Sequence, residues 1–422
     1  MDDRKIEERY RRAREQYAEL GVDTEAALAA LRGVPLSVHC WQGDDVGGFE
    51  TASDGTLGGG IAATGNYPGK ARTMAELRQD LEQLWKLLPG KHRLALHMIY
   101  GDFGGKRVDR DEVEPRHFDS WLAWAASCGV KLDMNGTFFS HPKAAAGLTI
   151  ASKDEAVRRF WVEHARRTRA VGAHIGRKQG SACIDNLWIP DGMKDATVDR
   201  AGYRRRLLKS LDEIFATTYP AAETRDALEG KLFGIGSETF VVGSHEFYLA
   251  YAAKHGLMVT LDSGHYHPTE SIADKIPALL LFFDELMVHI SRGVRWDSDH
   301  VVVLNDESRA ILEEVVRSGR MDRVHLGLDF FDASINRVGA WTVGARSVLK
   351  AILFALLEPR AGLLAAEEAG DYFGRMQLLE HAKTLPFGAV WDHHCRAAGV
   401  PVESEVFGAV HDYDATVTRK RT

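Results

Sequence analysis

The chain has 422 residues, of which 45% are hydrophobic and 27% are charged, and its formal net charge at pH 7 is −7. This balance excludes a disordered or fibrous chain, and it gives no general attraction to nucleic acid or to an anionic membrane surface. The length fits either one large α/β barrel with additional helices or two ordinary domains.

Eight short β-branched and aliphatic runs alternate with amphipathic stretches, which is typical of βα units and of a parallel sheet. The predicted strands cover residues 36–40, 93–99, 131–134, 182–188, 225–228, 257–261, 286–290 and 324–328. Helical periodicity predicts helices over residues 74–88, 118–128, 155–171, 203–218 and 243–254. Eight strands with helices between them predict an α/β fold, a closed (β/α)₈ TIM barrel.

The last part of the chain exceeds what is needed to close a barrel. Residues 1–342 are interpreted as the barrel catalytic domain with an N-terminal helical lead-in, and residues 343–422 as a mostly helical C-terminal extension. Helices this rich in apolar side chains need a covering surface, so we expect the extension to pack on the barrel and on neighbouring subunits.

Several features indicate a cytoplasmic protein without a membrane segment. The N-terminal residues 1–17 form a charged helical pattern that lacks the apolar run of a signal peptide. The most apolar stretch, residues 276–290, is interrupted by Asp284 and Glu285 and is too short to cross a bilayer. The cysteines lie far apart, in no disulfide or metal-binding spacing: Cys40, Cys128, Cys183 and Cys395.

Polar side chains end each of the last four predicted strands. In a (β/α)₈ barrel these ends converge at the face that carries the active site. The residues are Glu229, Asp262, His289 and Asp329. Three carboxylates in one place repel each other strongly unless a cation neutralises them, so the pattern predicts a divalent metal site.

A second group of candidate ligands follows the same strands. His265 comes three residues after Asp262, and Asp297 and Asp299 follow the seventh strand. Residues at positions i and i+2 of an extended segment share a face, so Asp297 and Asp299 could hold one ion together. Oxygen-rich sites with one histidine each and no thiolate favour Mn²⁺, Mg²⁺ or Co²⁺ over a structural Zn²⁺ site.

Seven longer motifs surround these residues: VHCWQGDDVGGFE, TGNYPGKAR, NLWIPDGMKD, GKLFGIGSE, LDSGHYHPTE, VRWDSDHVV and HLGLDFFDASINR. Over nearly its whole length the chain resembles the bacterial L-rhamnose isomerase family, which is similar to the xylose isomerases in its barrel and its two-metal chemistry. The resemblance implies an enzyme that interconverts L-rhamnose and L-rhamnulose and forms a homotetramer. It also implies two divalent ions per subunit, usually Mn²⁺, with Co²⁺, Zn²⁺ or Mg²⁺ as alternatives.

The resemblance also implies residue roles. The ligands of the first, structural ion are Glu229, Asp262, His289 and Asp329, and those of the second, catalytic ion are His265, Asp297 and Asp299. Lys231 stands where the family has a lysine near the carbonyl oxygen of the substrate. His97 and Trp188 resemble pocket residues that contact the sugar.

The expected reaction moves a hydride between C2 and C1 while a water of lowered pKa carries a proton between O2 and O1. Lys231 would donate to O1, Asp329 or a neighbouring carboxylate would orient the water, and His97 would open the sugar ring. An enediol route with a side-chain base over C2 remains an alternative. An apolar wall for the C6 methyl group would come from aromatic side chains, with Trp41, Phe49, Phe138 and Trp188 as candidates.

Other functions fit part of the pattern. A metal-dependent hydrolase of the phosphoesterase type could use the same carboxylates and histidines, although no HxH follows the first strand and no basic cluster lies near the predicted rim. Another sugar isomerase of the xylose isomerase type is a closer alternative. A non-catalytic metal-binding or sugar-binding protein would leave Lys231 beside the metals without a role.

Overall fold

Eight parallel strands close into a barrel in which each strand pairs with the strands before and after it along the chain, and the first strand pairs with the last. The computed structural model describes residues 2–50, 63–236, 238–294 and 296–421, with the side chains of 296–298 excepted. The strands are β1 Leu36–His39, β2 Arg93–His97, β3 Lys131–Asn135, β4 Cys183–Trp188, β5 Thr224–Glu229, β6 Met258–Asp262, β7 Leu286–Ile290 and β8 Val324–Leu328. The predicted (β/α)₈ barrel is therefore confirmed.

The α-helices of the described ranges lie outside the barrel, before it or after it. They are α1 Asp3–Glu19, α2 Thr24–Arg32, α3 Met74–Trp85, α4 Asp119–Cys128, α5 Glu155–Gln179, α6 Arg200–Phe215, α7 His245–His255, α8 Ile272–Leu279, α9 Asp306–Arg317, α10 Arg337–Leu356, α11 Arg360–Glu368, α12 Tyr372–Ala382, α13 Phe387–Ala397 and α14 Glu403–Thr416. Two short antiparallel pairs, Gly192–Met193 with Phe240–Val241 and Arg292–Val294 with Trp296–His300, extend loops beyond the strand ends.

The lumen of the barrel has its own small apolar cluster, separate from the main core outside the strands. It is made by Ile184, Ala227, Met258 and Met287. Successive residues of a strand point to opposite faces, so side chains two positions further along β4 to β7 point into the same lumen. Those side chains are polar: Asn186, Glu229, Thr260 and His289. The alternation therefore places a layer of polar groups directly above an apolar floor.

Helix α5 packs closely against the barrel. It begins after Asp154, whose side chain accepts hydrogen bonds from two backbone N–H groups of the first turn. A Cβ atom on Gly176 would lie 1.7 Å from the carbonyl oxygen of Glu223, so only glycine allows this approach. Arg169, further up the helix, forms a two-pronged ion pair with Asp226 of β5, with N–O distances of 2.8 and 3.0 Å.

Helix α10 closes the barrel after β8 and continues the main core. Within the described ranges it is the one helix long and apolar enough to cross a bilayer, but 78% of its most apolar stretch is buried inside the protein, as in a core helix. The indole of Trp341 donates a 2.8 Å hydrogen bond to the carbonyl oxygen of His39. The predicted division between residues 342 and 343 falls within α10 and stays a prediction.

The C-terminal part of the chain contacts two earlier helices, α1 and α3. His393 of α13 stacks on Tyr10 of α1 with a centroid distance of 3.8 Å. After α14, Arg421 forms a two-pronged ion pair with the buried carboxylate of Asp80 at 2.6 and 2.7 Å, and Tyr413 donates to the same carboxylate. The end of the chain is thus fixed against α3.

Candidate active site

Four of the predicted ligands meet at the C-terminal ends of β5 to β8. Glu229, Asp262, His289 and Asp329 each bring one ligand atom within 4.8 Å of the others. The Nδ1 atom of His289 lies 3.4 Å from Glu229 Oε2 and 3.7 Å from Oδ2 of both Asp262 and Asp329. We call this group the first cluster.

A second cluster overlaps with the first. Asp262, His265 and Asp299 also bring ligand atoms within 4.8 Å of one another, so Asp262 belongs to both groups. His265 Nδ1 lies 3.0 Å from Glu229 Oε1 and so touches the first cluster as well. Asp299 has a φ angle of 41°, in the left-handed region that few non-glycine residues adopt. The side chain of Asp297, the third predicted ligand here, lies outside the described residues.

The electrostatics of both clusters fit a divalent cation. Burial raises the pKa of Asp262 well above its usual range, and the carboxylates of Glu229, Asp329 and Asp299 raise it further. Within the described ranges, the buried ligand atoms Asp262 Oδ2 and His289 Nδ1 have no hydrogen-bond partner, and the 3.0 Å approach of His265 Nδ1 to Glu229 Oε1 is not a well-directed hydrogen bond. Unpaired buried acceptors are costly, and carboxylates with imidazoles are the ligands that such a cation prefers.

Neighbouring strands orient Glu229. The side-chain amide of Asn186 on β4 donates a 2.6 Å hydrogen bond to Glu229 Oε2. Thr260 on β6 in turn donates a 2.7 Å hydrogen bond to the side-chain oxygen of Asn186, which fixes the orientation of the amide. This chain of two hydrogen bonds holds Oε2 of Glu229, while Oε1 points towards His265 Nδ1 in the second cluster.

The two aspartates of the first cluster are held in the same way. The hydroxyl of Ser291 and the backbone N–H of Gly264 donate to Asp262 Oδ1, at 3.0 and 2.7 Å. The indole N–H of Trp41 donates to Asp329 Oδ1 at 3.1 Å. In both residues the other oxygen, Oδ2, faces His289.

The predicted lysine lies at the rim of this centre. Lys231 follows β5 by two residues and is only 3% exposed. Its Nζ atom lies 5.0 Å from the ring centroid of Trp188 and 5.4 Å from that of Phe233. Trp188, at the end of β4, has its ring 6.1 Å from that of His265. The structure therefore places Trp188 beside His265 of the second cluster, and Lys231 against Trp188.

His97, at the end of β2, lies on the opposite wall. Its ring packs edge-on against Trp41, with a centroid distance of 4.7 Å, and Nδ1 is hydrogen-bonded to Thr137 Oγ1 at 3.1 Å. Burial lowers the pKa of His97 to about 3, and the nearby guanidinium of Arg110 acts in the same direction. The imidazole is therefore neutral at physiological pH.

The aromatic wall differs in one position from the prediction. Phe138 is buried against Trp161 and His164 of α5, facing away from the clusters. The next residue, Phe139, lies between His97 and Trp188, with centroid distances of 5.7 and 6.0 Å. Phe139 therefore takes the place that was assigned to Phe138.

The motif after β1 ties its loop to the loop after β8. The side chain of Gln42 exchanges two hydrogen bonds with the backbone of Asp332, at 2.9 and 2.8 Å. Arg337 forms a two-pronged ion pair with Asp45, with both N–O distances at 2.8 Å. Phe49, a candidate for the apolar wall, packs edge-on against Tyr100 at 5.6 Å.

Sequence reasoning missed two side chains that support the first cluster. Asn186 and Thr260 each lie two residues before a candidate site residue, Trp188 and Asp262, so strand alternation alone places them on the same face. This alternation can be read directly from the amino-acid sequence. No comparable signal separates Phe138 from Phe139, because the segment after β3 has no regular period.

Comparisons with known proteins agree on one family. A family model described as L-rhamnose isomerase (RhaA) matches residues 4–421. The chain is 54% identical over 417 residues to an L-rhamnose isomerase of Rhodopirellula baltica, covering 99% of this chain and 97% of that one. It is 52% identical over 416 residues to an L-rhamnose isomerase of Bacteroides thetaiotaomicron, covering 99% of each.

Among solved structures, that of an L-ribulose 3-epimerase matches with a TM-score of 0.49 and 16% identity, covering 80% of this chain and 98% of the other. The sequence relationships extend over essentially the whole chain and include both clusters. By these relationships the chain belongs to the L-rhamnose isomerase family, and it is an aldose–ketose isomerase.

Proposed function

We propose that this chain interconverts L-rhamnose and L-rhamnulose at the centre formed by the two overlapping clusters. The observation that carries the proposal is the convergence of six carboxylate and imidazole side chains at one end of the barrel in a chain of this family: Glu229, Asp262, His265, His289, Asp299 and Asp329. The hydrolase alternative is not supported, because the family is one of isomerases.

Two divalent ions per subunit, with Mn²⁺ preferred, fit this centre best. Glu229, Asp262, His289 and Asp329 would hold the first ion, and His265 and Asp299, together with Asp297, would hold the second. Bound cations would polarise the neighbouring oxygens O1 and O2 of the sugar and stabilise the negative charge that develops there. The donor set of carboxylates and imidazoles without thiolate supports Mn²⁺ over a structural zinc site.

The chain's own residues supply the remaining chemistry. Lys231, held against Trp188, donates a hydrogen bond to O1 as its charge grows. Asp329, fixed through Oδ1 by Trp41, orients the water that carries a proton between O2 and O1. His97 is neutral, so it can both accept and donate a proton when the pyranose ring opens.

The aromatic side chains around the two clusters favour a hydride-shift route over an enediol route. Phe139, Trp188 and Trp41 line the wall around the clusters and exclude water from C1 and C2, which protects a migrating hydrogen from exchange. Turnover of sugar carrying deuterium at C2 should retain the label in the product. Extensive loss of the label to solvent would show that the enediol route operates.

Metal removal is the direct test of the proposed function. The purified protein is stripped with EDTA, and ketose formation from L-rhamnose is measured before stripping, after stripping and after addition of Mn²⁺. We expect activity to disappear and then return with Mn²⁺, with about two ions bound per chain in the restored sample. Activity that survives complete removal of metal would refute the metal-dependent mechanism.

We further propose a cytoplasmic homotetramer. All four cysteines are free thiols, which suits a reducing compartment. Helix α12 has no buried residue within the chain, and its apolar side chains need a second surface to cover them.

A further inference from the structure

Arg110, in the segment between β2 and α4, is a buried arginine whose only effect described above is electrostatic, on the pKa of His97. Its side chain is 2% exposed. Nε and Nη2 donate to the two carboxylate oxygens of Glu50, at 2.8 and 3.0 Å. A guanidinium matches a carboxylate in this two-pronged way, whereas a lysine ammonium does not.

The other N–H groups of Arg110 hold the segment after β3. Nη1 donates to the carbonyl oxygens of Thr137, at 2.9 Å, and of Phe139, and Nη2 donates to that of Ser140 at 3.1 Å. Ser140 has a φ angle of 53°, in the left-handed region, so this tight turn needs outside support. One side chain therefore fixes three carbonyl groups within four consecutive residues.

The backbone of Arg110 reaches the same segment by a second path. The N–H of Thr137 donates to His164 Nε2 at 2.9 Å, so His164 must carry its proton on Nδ1. That Nδ1 donates to the carbonyl oxygen of Arg110 at 3.1 Å. Thr137 is thus held at both its carbonyl oxygen and its N–H, while its hydroxyl contacts His97.

The fixed segment forms one wall of the active site. Thr137 orients the ring of His97, and Phe139 fills the space between His97 and Trp188. A shift of this segment would move both contacts at once. Contacts that hold the sugar equally in its ground state and its transition state determine KM, so a displaced wall should raise KM more than it lowers kcat.

We propose that Arg110 is a positioning residue that sets the shape of the sugar-binding wall by holding Thr137 and Phe139 in place. The inference rests on the proposed function, because it assigns the wall to sugar binding. Arg110 acts through Thr137 and Phe139 and is not a catalytic residue. Because a buried arginine also stabilises the fold, the test must separate an effect on the position of the wall from an effect on protein stability.

The chain offers a matched control in Arg169. This arginine is also buried, pairs with Asp226 in the same two-pronged way, and donates to the carbonyl oxygens of Ile214 and Thr217 at 2.7 and 2.8 Å. It supports the outer face of the barrel and contacts none of the wall residues. Arg169→Lys therefore removes an equivalent guanidinium fork without touching the site.

The experiment compares Arg110→Lys with Arg169→Lys in the metal-loaded enzyme, by thermal unfolding, bound metal, kcat and KM for L-rhamnose. We expect both variants to lose stability and keep their metal, while only Arg110→Lys raises KM, by roughly tenfold or more, with a smaller change in kcat. Equal KM values in both variants, at similar losses of stability, would overturn the proposal.

Two further variants keep the test decisive if Arg110→Lys does not fold. Glu50→Gln weakens the grip on Arg110 and should raise KM in the same direction. Phe139→Leu should raise KM. In the Phe139→Leu variant, Glu50→Gln should raise KM by a smaller factor than it does in the wild type. Equal factors in the two backgrounds would contradict the proposal that Arg110 acts through the wall. Failure of the wild-type chain to convert L-rhamnose would instead refute the proposed function.

Discussion

Each aspartate of the first cluster uses one oxygen for a hydrogen bond and directs the other towards His289, whereas Glu229 uses Oε2 for both contacts and turns Oε1 towards His265. Asp262 and Asp329 are held through Oδ1, and Glu229 is held through Oε2 by Asn186. The ligand geometry is therefore set by neutral donors on neighbouring strands and loops. Such partners stabilise the productive orientation of a ligand, and their loss lowers metal affinity.

Replacement of Asn186 by alanine should weaken metal binding. The change removes the donor to Glu229 and leaves its carboxylate able to rotate, so we expect the affinity for the first ion to fall roughly 10- to 100-fold. Competition with a coloured chelator measures this. Asn135→Ala is the control, since Asn135 is buried on β3 and donates to the carbonyl oxygen of Leu96. If both variants bind metal like the wild type, the orienting role of Asn186 is wrong.

Replacement of Lys231 by methionine should separate chemistry from metal binding. Methionine keeps the buried stem against Trp188 but removes the donor to O1, so kcat should fall by roughly 10²- to 10⁴-fold. The metal content, measured on the same sample, should stay at the wild-type level. A variant that keeps its activity would remove Lys231 from the mechanism.

At the scale of elements, the strands could be predicted closely because each is an apolar run between polar segments. Their ends were harder to predict. Strand β2 was predicted to reach residue 99 but ends at His97, since Met98–Tyr100 form a 3₁₀ turn. Helix α5 was predicted to end at residue 171, before Gly172, but it continues to Gln179.

The glycines of α5 explain that difference. Glycine has low helix propensity, so a sequence pattern places a helix end there. In the structure Gly172 and Gly176 are the points where the helix meets the barrel, and tertiary packing overrides the local preference. The site shows the same limit: alternation along a strand predicts which residues face the lumen, but it does not predict the order of Phe138 and Phe139 in a loop.

Replacement of Gly176 by alanine should therefore destabilise the fold. The added methyl group would overlap the carbonyl oxygen of Glu223 and push α5 from the barrel, at a cost of at least about 2 kcal/mol. Denaturant unfolding gives the free energy. The control is Gly408→Ala in α14, where nothing lies within 4 Å of the added atom, and it should leave stability unchanged or slightly raised. Equal stability of the two variants would contradict this packing argument.

At the scale of the whole molecule, the surface of the C-terminal extension is unusually apolar. On α12 the side chains of Tyr372, Phe373 and Met376 are 63%, 73% and 56% exposed. The extension was expected to pack on neighbouring subunits because helices of this composition need cover, and that expectation stays a prediction. Oligomer geometry depends on surface shape, which residue patterns along one chain do not specify.

A charge on this face should break the assembly. We expect Phe373→Asp to shift the protein from a tetramer to smaller species with an intact fold, as measured by light scattering and circular dichroism. Phe282→Asp is the control, since Phe282 is also exposed, at 81%, but lies after α8. A tetramer that persists in Phe373→Asp would show that α12 is not an interface.

The membership of Asp262 in both clusters would couple the loading of the two proposed ions. A carboxylate that serves two cations divides its charge between them, and the cations repel each other across a few ångströms. Occupation of either position should therefore lower the affinity of the other, and by the same factor in both directions. A mild chelator should then remove one ion easily, and the ion that remains should bind more tightly than before. Titration of the metal-free protein with Mn²⁺ in a calorimeter should show two binding steps of different affinity.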